Sequence, residues 1–167
     1  MTGPQLTVAV LDATHDRTGF ECGTPALDRY LRETVTQDVR RRVAACFVML
    51  DGNVVAGYYT LSAASIALAA LPHEVARKLP RYPAIPAVRM GRLAVDRQYR
   101  GRGLGAAMLV NTLRRAAGSE IPAVALTVDA KDEGAAAFYG HFGFQPLTHD
   151  PLALFLPLAT VKQRRAK

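Results

Sequence analysis

Cysteine is scarce in this chain, and long apolar runs, internal repeats and low-complexity linkers are missing from it. Only Cys22 and Cys46 occur among 167 residues. One falls in a polar loop and the other inside the apolar run from Ala44 to Leu50, so neither a disulfide framework nor a cysteine metal cluster is expected. No spacing of His, Cys, Asp or Glu suggests a metal site, and the histidines at 15, 73, 141 and 149 are scattered. Half of the residues are hydrophobic, yet no run reaches the about 20 residues of a membrane-spanning helix. The first residues, Met1-Thr2-Gly3-Pro4-Gln5, offer neither the charged nor the apolar region of an export signal. The expectation is a soluble, cytoplasmic protein with no membrane partner. A chain of this length suits one well-buried core, so a single domain over residues 1–160 is expected, with a basic tail at 161–167.

Arginine is what abounds. Lysine and arginine total 21 against 14 acidic residues, a formal net charge of +7. The charge gathers at Arg40-Arg41-Arg42, at Arg77-Lys78 with Arg81, between residues 97 and 102, at Arg114-Arg115 and in the tail. Such a surface favours polyanions, nucleic acid first. A solvated face that only aids solubility has the same composition, and charge alone does not choose between the two.

The apolar pattern predicts a mixed α/β fold. Leu6 to Leu11 reads as a strand. Thr24-Pro25 reads as N-cap and first position of an amphipathic helix that ends in the three arginines. Two β-type runs, 43–50 and 54–61, flank Asp51-Gly52-Asn53, a hairpin signal, so the sheet starts antiparallel. Residues 62–71 are small and apolar, Pro72 opens a short helix, and prolines at 80, 83 and 86 demand an extended segment. A strand over 87–95 leads through a glycine-rich loop into a helix at about 103–117. The strand at 123–128 is expected to lie parallel to it by a right-handed crossover. A helix over 133–141, stopped by Gly143, and a strand over 152–158 complete the chain.

The loop carries the chemistry. Glycines at 101, 103 and 105 let successive N–H groups turn toward a ligand, arginines at 97, 100 and 102 surround them, and a helix starts immediately after. Phosphate is the natural guest. A P-loop is excluded, because no Lys-Ser or Lys-Thr follows a glycine at the required spacing. Gly101 to Ala106 fits the dinucleotide pattern G-x-G-x-x-A by letter, but a leading helix and antiparallel hairpin are the wrong context for it. The pattern R-x-x-G-x-G, from Arg100 to Gly105 after a strand ending Leu93-Ala94-Val95, resembles the GNAT superfamily of N-acetyltransferases. Phe138-Tyr139 ahead of Gly143-Phe144 is similar to that family's later helix. Phe20-Glu21-Cys22-Gly23, Gly57 to Ser62, Gly91 to Asp96 and Leu154 to Leu158 narrow the likeness to the acetyltransferase toxins of bacterial toxin–antitoxin modules.

That resemblance implies acetyl-coenzyme A as cosubstrate, no metal, and a central, mostly antiparallel sheet with one splayed parallel pair. By it, Arg97, Arg100, Gly101, Arg102, Gly103, Leu104 and Gly105 are expected to hold the pyrophosphate. Backbone groups of Leu93, Ala94 and Val95 are expected to bind the pantetheine and the thioester oxygen. Tyr139 is expected to protonate the leaving thiolate, although a tyrosine among Phe138, Phe142 and Phe144 also suits an aromatic core. Asp132 stands where many members carry a cofactor-binding asparagine; aspartate keeps an acceptor, loses the amide donors and adds negative charge near phosphate. The acceptor is expected to be the α-amine of aminoacyl-tRNA, with Arg40, Arg41, Arg42, Arg77, Lys78 and Arg81 as phosphate contacts. No general base is nominated, since an α-amine of pKa roughly 7.7–8.0 is already partly neutral near pH 7. A homodimer, a small ribbon-helix-helix antitoxin and arrest of translation are further implications. Acetylation of protein or small-molecule amines is the alternative, and a non-catalytic acyl-coenzyme A binding module a further one.

Overall fold

The computed structural model describes residues 5–161, and its backbone falls into two compact units: the chain up to Ser62 with Gly91–Asn111, and Ala63–Met90 with the chain from Thr112 onward. Two strands, β3 (Val54–Ala67) and β4 (Ala84–Val95), contribute residues to both. The tail beyond residue 161 lies outside the described residues.

In the first unit, β1 (Leu6–Val10) pairs antiparallel with β2 (Ala45–Asp51), which pairs antiparallel with β3. The hairpin closes on Asp51↔Val54, leaving Gly52-Asn53 as a two-residue turn with positive φ at Gly52 alone, the type II′ pattern that suits strand twist. Facing this sheet are α1 (Pro25–Arg29), a π-helical turn (Tyr30–Thr34) and α2 (Val35–Arg40). The apolar periodicity had indicated one regular helix here. Arg17 donates to the Leu31 carbonyl of this π turn at 2.9 Å. Thr24 occupies the N-cap position, but its side chain makes no capping bond. Phe20, Tyr30, Leu31, Val35, Val48, Val55, Tyr58 and Ala94 form this unit's core.

In the second unit, β4 runs parallel to β5 (Ala125–Asp129), β5 antiparallel to β7 (Asp150–Pro157), and β7 antiparallel to β6 (Gln145–Leu147). Strand order along the seven-stranded sheet is β1-β2-β3-β4-β5-β7-β6, a mixed α/β arrangement with one parallel pair, as the sequence led one to expect. Two details differ from the sequence reading. The strand β3 continues to Ala67, because pairing holds small residues of weak intrinsic β preference extended. An unexpected β6 accommodates Pro146 because it is the outermost strand, where a missing N–H breaks no inner ladder. The helices are α3 (His73–Ala76), α4 (Leu104–Ala117), which continues from the first unit, and α5 (Glu133–His141). Ile66, Leu71, Ile85, Ala125 and Phe155 centre this unit's core. No helix among the described residues is long and apolar enough to cross a membrane.

Candidate active site

The glycine loop is held from the N-terminal side by a brace that its own sequence does not display. Asp96 is buried, and its carboxylate accepts from the Gln98 N–H and from the Glu21 N–H, each at 2.9 Å. The Arg97 N–H in turn donates to the Glu21 carbonyl at 2.9 Å. Buried Asp28 completes the brace by accepting from the Cys22 N–H at 2.8 Å. Tyr99 donates to Asp51 at 2.6 Å, tying the turn Arg97–Tyr99 to the end of β2.

Within that frame the loop turns twice through left-handed backbone, at Gly101 (φ +79°) and Gly103 (φ +73°), conformations that cost a Cβ-bearing residue about 1 kcal/mol or more. A Cβ at either glycine would meet nothing within 4 Å, so this side of the loop is open. The helix α4 begins at Leu104, its first-turn N–H groups lack intrahelical partners by geometry, and no acidic residue stands in that turn. An open loop of such donors at a helix start fits a pyrophosphate. The three arginines lie close by with other partners. Arg97 pairs with Glu21 at 3.0 Å, Arg100 donates to the Cys22 carbonyl, and the Arg102 guanidinium sits 5.3 Å from the centre of the Tyr99 ring.

The strand before the loop changes partner at a defined point. Parallel pairing of β4 with β5 runs from Ala87↔Ala125 to Met90↔Val128, whereas β4 itself continues to Val95. Leu93, Ala94 and Val95 therefore lie past the end of the parallel register. On the other side of the strand, the Asp96 N–H donates to the Ala56 carbonyl at 2.8 Å, and Gly57 leaves no room for a Cβ, which would stand 3.0 Å from the Ala94 carbonyl oxygen.

In the second unit, α5 starts at Asp132, whose carboxylate accepts from the Ala135 N–H at 2.8 Å. Asp132 is thus the N-cap of α5, a role in which aspartate replaces asparagine without loss. Tyr139 lies one turn from the other end. After it comes a Schellman stop: the Phe144 N–H donates to the Tyr139 carbonyl at 3.3 Å, the Gly143 N–H to the Gly140 carbonyl at 3.0 Å, and Gly143 has φ +98°. The motif's apolar contact is the Tyr139 ring against Phe144, centroids 5.4 Å apart. Spacing of Tyr139 from the Gly-Phe pair is therefore what locks its ring. The ring is buried, its hydroxyl has no hydrogen-bond partner among the described residues, and burial pushes its pKa up to about 12.

The basic candidates are exposed. Arg40, Arg41 and Arg42 close α2, and Arg42 takes φ +63°, a left-handed turn usually left to glycine. Arg77, Lys78 and Arg81 are exposed beyond α3. No group of three or more His, Cys, Asp or Glu among the described residues is placed to hold a metal ion. Sequence reasoning had assigned no part to Asp96, Asp28 and Arg17: Asp96 and Arg17 act through partners 75 and 14 residues away, and Asp28 through a backbone N–H six residues before it that no motif marks.

Comparison with known proteins agrees with this geometry. A tRNA-acetylating toxin of Mycobacterium tuberculosis is 37% identical over 158 residues, 93% of each chain. A solved structure of AtaT complexed with acetyl-methionyl-tRNAfMet superposes with a TM-score of 0.88 at 32% identity, covering 94% of this chain and 97% of that one. A tyrosine-to-phenylalanine mutant of the AtaT toxin, bound to the C-terminus of the antitoxin AtaR and acetyl-CoA, superposes with a TM-score of 0.79 at 28% identity, covering 93% and 95%. The model of the acetyltransferase (GNAT) family matches residues 10–144, a span that takes in the hairpin, the interrupted parallel pair, the glycine loop and the tyrosine helix. A glycine-rich loop at a helix start, following a strand that runs past the end of its parallel register, belongs with that match, and this chain is a member of the acetyltransferase (GNAT) family.

Proposed function

We propose that the chain acts as one N-acetyltransferase domain over residues 1–160, moving the acetyl group of acetyl-CoA to the α-amine of aminoacyl-tRNA. In this reading it is a cytoplasmic, homodimeric toxin that stops translation and is restrained by a small antitoxin. The observation that carries the chemistry is the end of parallel pairing at Met90↔Val128, with β4 running on to Val95 and into the open glycine loop. The acceptor follows from the likeness to a tRNA-acetylating toxin and to AtaT with acetyl-methionyl-tRNAfMet.

Bound acetyl-CoA supplies an activated thioester. The N–H groups of Gly101 to Gly105 hold its pyrophosphate, that of Arg100 being engaged with the Arg97 carbonyl, and the nearby guanidinium groups of Arg97, Arg100 and Arg102 add positive potential. Backbone groups of Leu93, Ala94 and Val95 pair with the pantetheine and orient the thioester oxygen. The amine nitrogen bonds to the acetyl carbon as the carbon–sulfur bond breaks. Tyr139 gives its phenolic proton to the departing sulfur and regains one that the amine sheds through solvent. With its pKa raised to about 12, the phenol carries that proton throughout the physiological range. Asp132 serves the site by capping α5 and so fixing the tyrosine helix. Arg40, Arg41, Arg42, Arg77, Lys78 and Arg81 contact tRNA phosphates.

The test uses purified protein, labelled acetyl-CoA and charged tRNA. Label is expected to move to the aminoacyl group, with acceptor affinity falling steeply as salt rises. Tyr139→Phe is expected to lower kcat about a hundredfold or more with acetyl-CoA affinity little changed. Charged tRNA left unmodified while protein or small amines are acetylated refutes the acceptor.

A further inference from the structure

A groove in the second unit takes no part in the chemistry above. Its volume is about 240 Å³. Small residues, Ala64 and Ala153 among them, supply apolar lining, and Arg89, Asp129, Thr127 and His149 supply polar groups.

Strand alternation says which face it occupies. Ile85 and Ala87 of β4, Ala125 of β5, and Ala153 and Phe155 of β7 share one core, so Arg89 and Asp129, each at even spacing from these, stand on that same face. The opposite face of these strands meets the helices: the Thr112 hydroxyl of α4 lies 3.7 Å from Met90 Sδ, and a Cβ on Gly143, just past α5, would touch Leu156. The groove therefore opens on the side of the sheet away from α4 and α5. It also sits where parallel pairing stops, since Arg89 faces Thr127 one pair before the last and Asp129 lies one residue beyond it.

Arg89 and Asp129 form a hydrogen-bonded ion pair across the two parallel strands, each side chain about half exposed (49% and 52%). Together they bring no net charge to a groove otherwise lined by aliphatic groups, the Thr127 and Ser65 hydroxyls and the His149 imidazole. We propose that this groove receives the side chain of the aminoacyl group, and that the Arg89–Asp129 pair restricts it to neutral side chains. This inference rests on the aminoacyl-tRNA reading above. A lysyl or arginyl side chain entering the groove meets Arg89 as a like charge while Asp129 is already engaged. A glutamyl or aspartyl side chain meets the converse. Either must break the pair or stay unpaired, whereas a neutral side chain displaces only water.

The experiment measures kcat/KM for glycyl-, methionyl-, lysyl- and glutamyl-tRNA with the wild-type chain and three variants. Wild type is expected to favour the neutral pair. Arg89→Ala leaves Asp129 unpaired and is expected to raise the lysyl-to-methionyl ratio about fourfold, and Asp129→Ala to raise the glutamyl-to-methionyl ratio about fourfold, a size that half-exposed charges support. Ala67→Leu, at an exposed position on the groove, is expected to lower the methionyl-to-glycyl ratio. Ratios within one variant cancel any general loss of active protein. Ratios unchanged within twofold in all three variants overturn the proposal. A wild-type chain that acetylates small amines but no aminoacyl-tRNA overturns the function itself, and this assignment with it.

Discussion

Asp96→Ala tests how the glycine loop is held. The carboxylate accepts two backbone N–H groups at 2.9 Å, from residues on either side of a brace that spans 75 positions in sequence, and the residue is only 8% exposed. A hydrogen bond to a charged acceptor contributes about 1.5–3 kcal/mol, and removing the acceptor leaves two poorly hydrated N–H groups behind. Taking the lower figure for each bond, because the site is only partly sealed, the variant loses about 3 kcal/mol. With a urea slope of about 2 kcal/mol/M for a domain of this size, the unfolding midpoint drops by about 1.5 M. Asp96→Asn keeps one acceptor oxygen and is expected to lose about half as much. Affinity for acetyl-CoA should fall in both, measured by calorimetry under conditions where each variant is folded, because the loop now orders on binding. The control is Glu21→Ala, which removes the ion pair to Arg97 between side chains 57% and 62% exposed, leaves the backbone bonds in place and is expected to change stability by less than about 0.5 kcal/mol. Equal midpoints for Asp96→Ala and wild type, or a larger loss from Glu21→Ala, would refute the brace.

Further predictions concern three other residues. In a pH series, kcat/KM is expected to rise through the α-amine pKa of roughly 7.7–8.0 and then stay level to about pH 10, because Tyr139 keeps its proton until its raised pKa of about 12; an alkaline fall near pH 8–9 counts against it. The same shift bears on stability: the phenol ionises more readily in the unfolded chain, so stability is intact below the ordinary value of 10 and declines as pH rises from 10 through about 12. Arg42→Gly relieves a left-handed backbone at φ +63° but adds chain entropy to the unfolded state, so stability is expected to stay within about 1 kcal/mol while the salt slope of tRNA binding falls by about 1. Gly143→Ala places a Cβ at φ +98°, 3.4 Å from Leu156; a loss of about 1–2 kcal/mol is expected in thermal or urea unfolding, with kcat lowered because the Schellman stop locks Tyr139.

How much of this was legible in the sequence depended on the range of the interaction. The turn at Gly52, the loop glycines and the stop at Gly143 act on their own backbone, so their letters were enough. The brace was not legible, since Asp96 with Glu21 and Arg100 with the Cys22 carbonyl join positions 75 and 78 residues apart. Nor was the π turn, which keeps an ordinary helical pattern of apolar residues and meets Arg17 from 14 residues earlier in the chain. The arginines of the loop show the consequence. Read as letters, three guanidinium groups beside three glycines are three charges for a pyrophosphate. In the fold, Arg97 and Arg100 bind the Glu21–Cys22 segment and Arg102 lies over Tyr99, so their side chains shape the loop, which is open around Gly101 and Gly103. Substituting Arg100 by lysine, which keeps the charge and loses the planar fork, should therefore cost the loop its shape, and with it more affinity than a charge count allows.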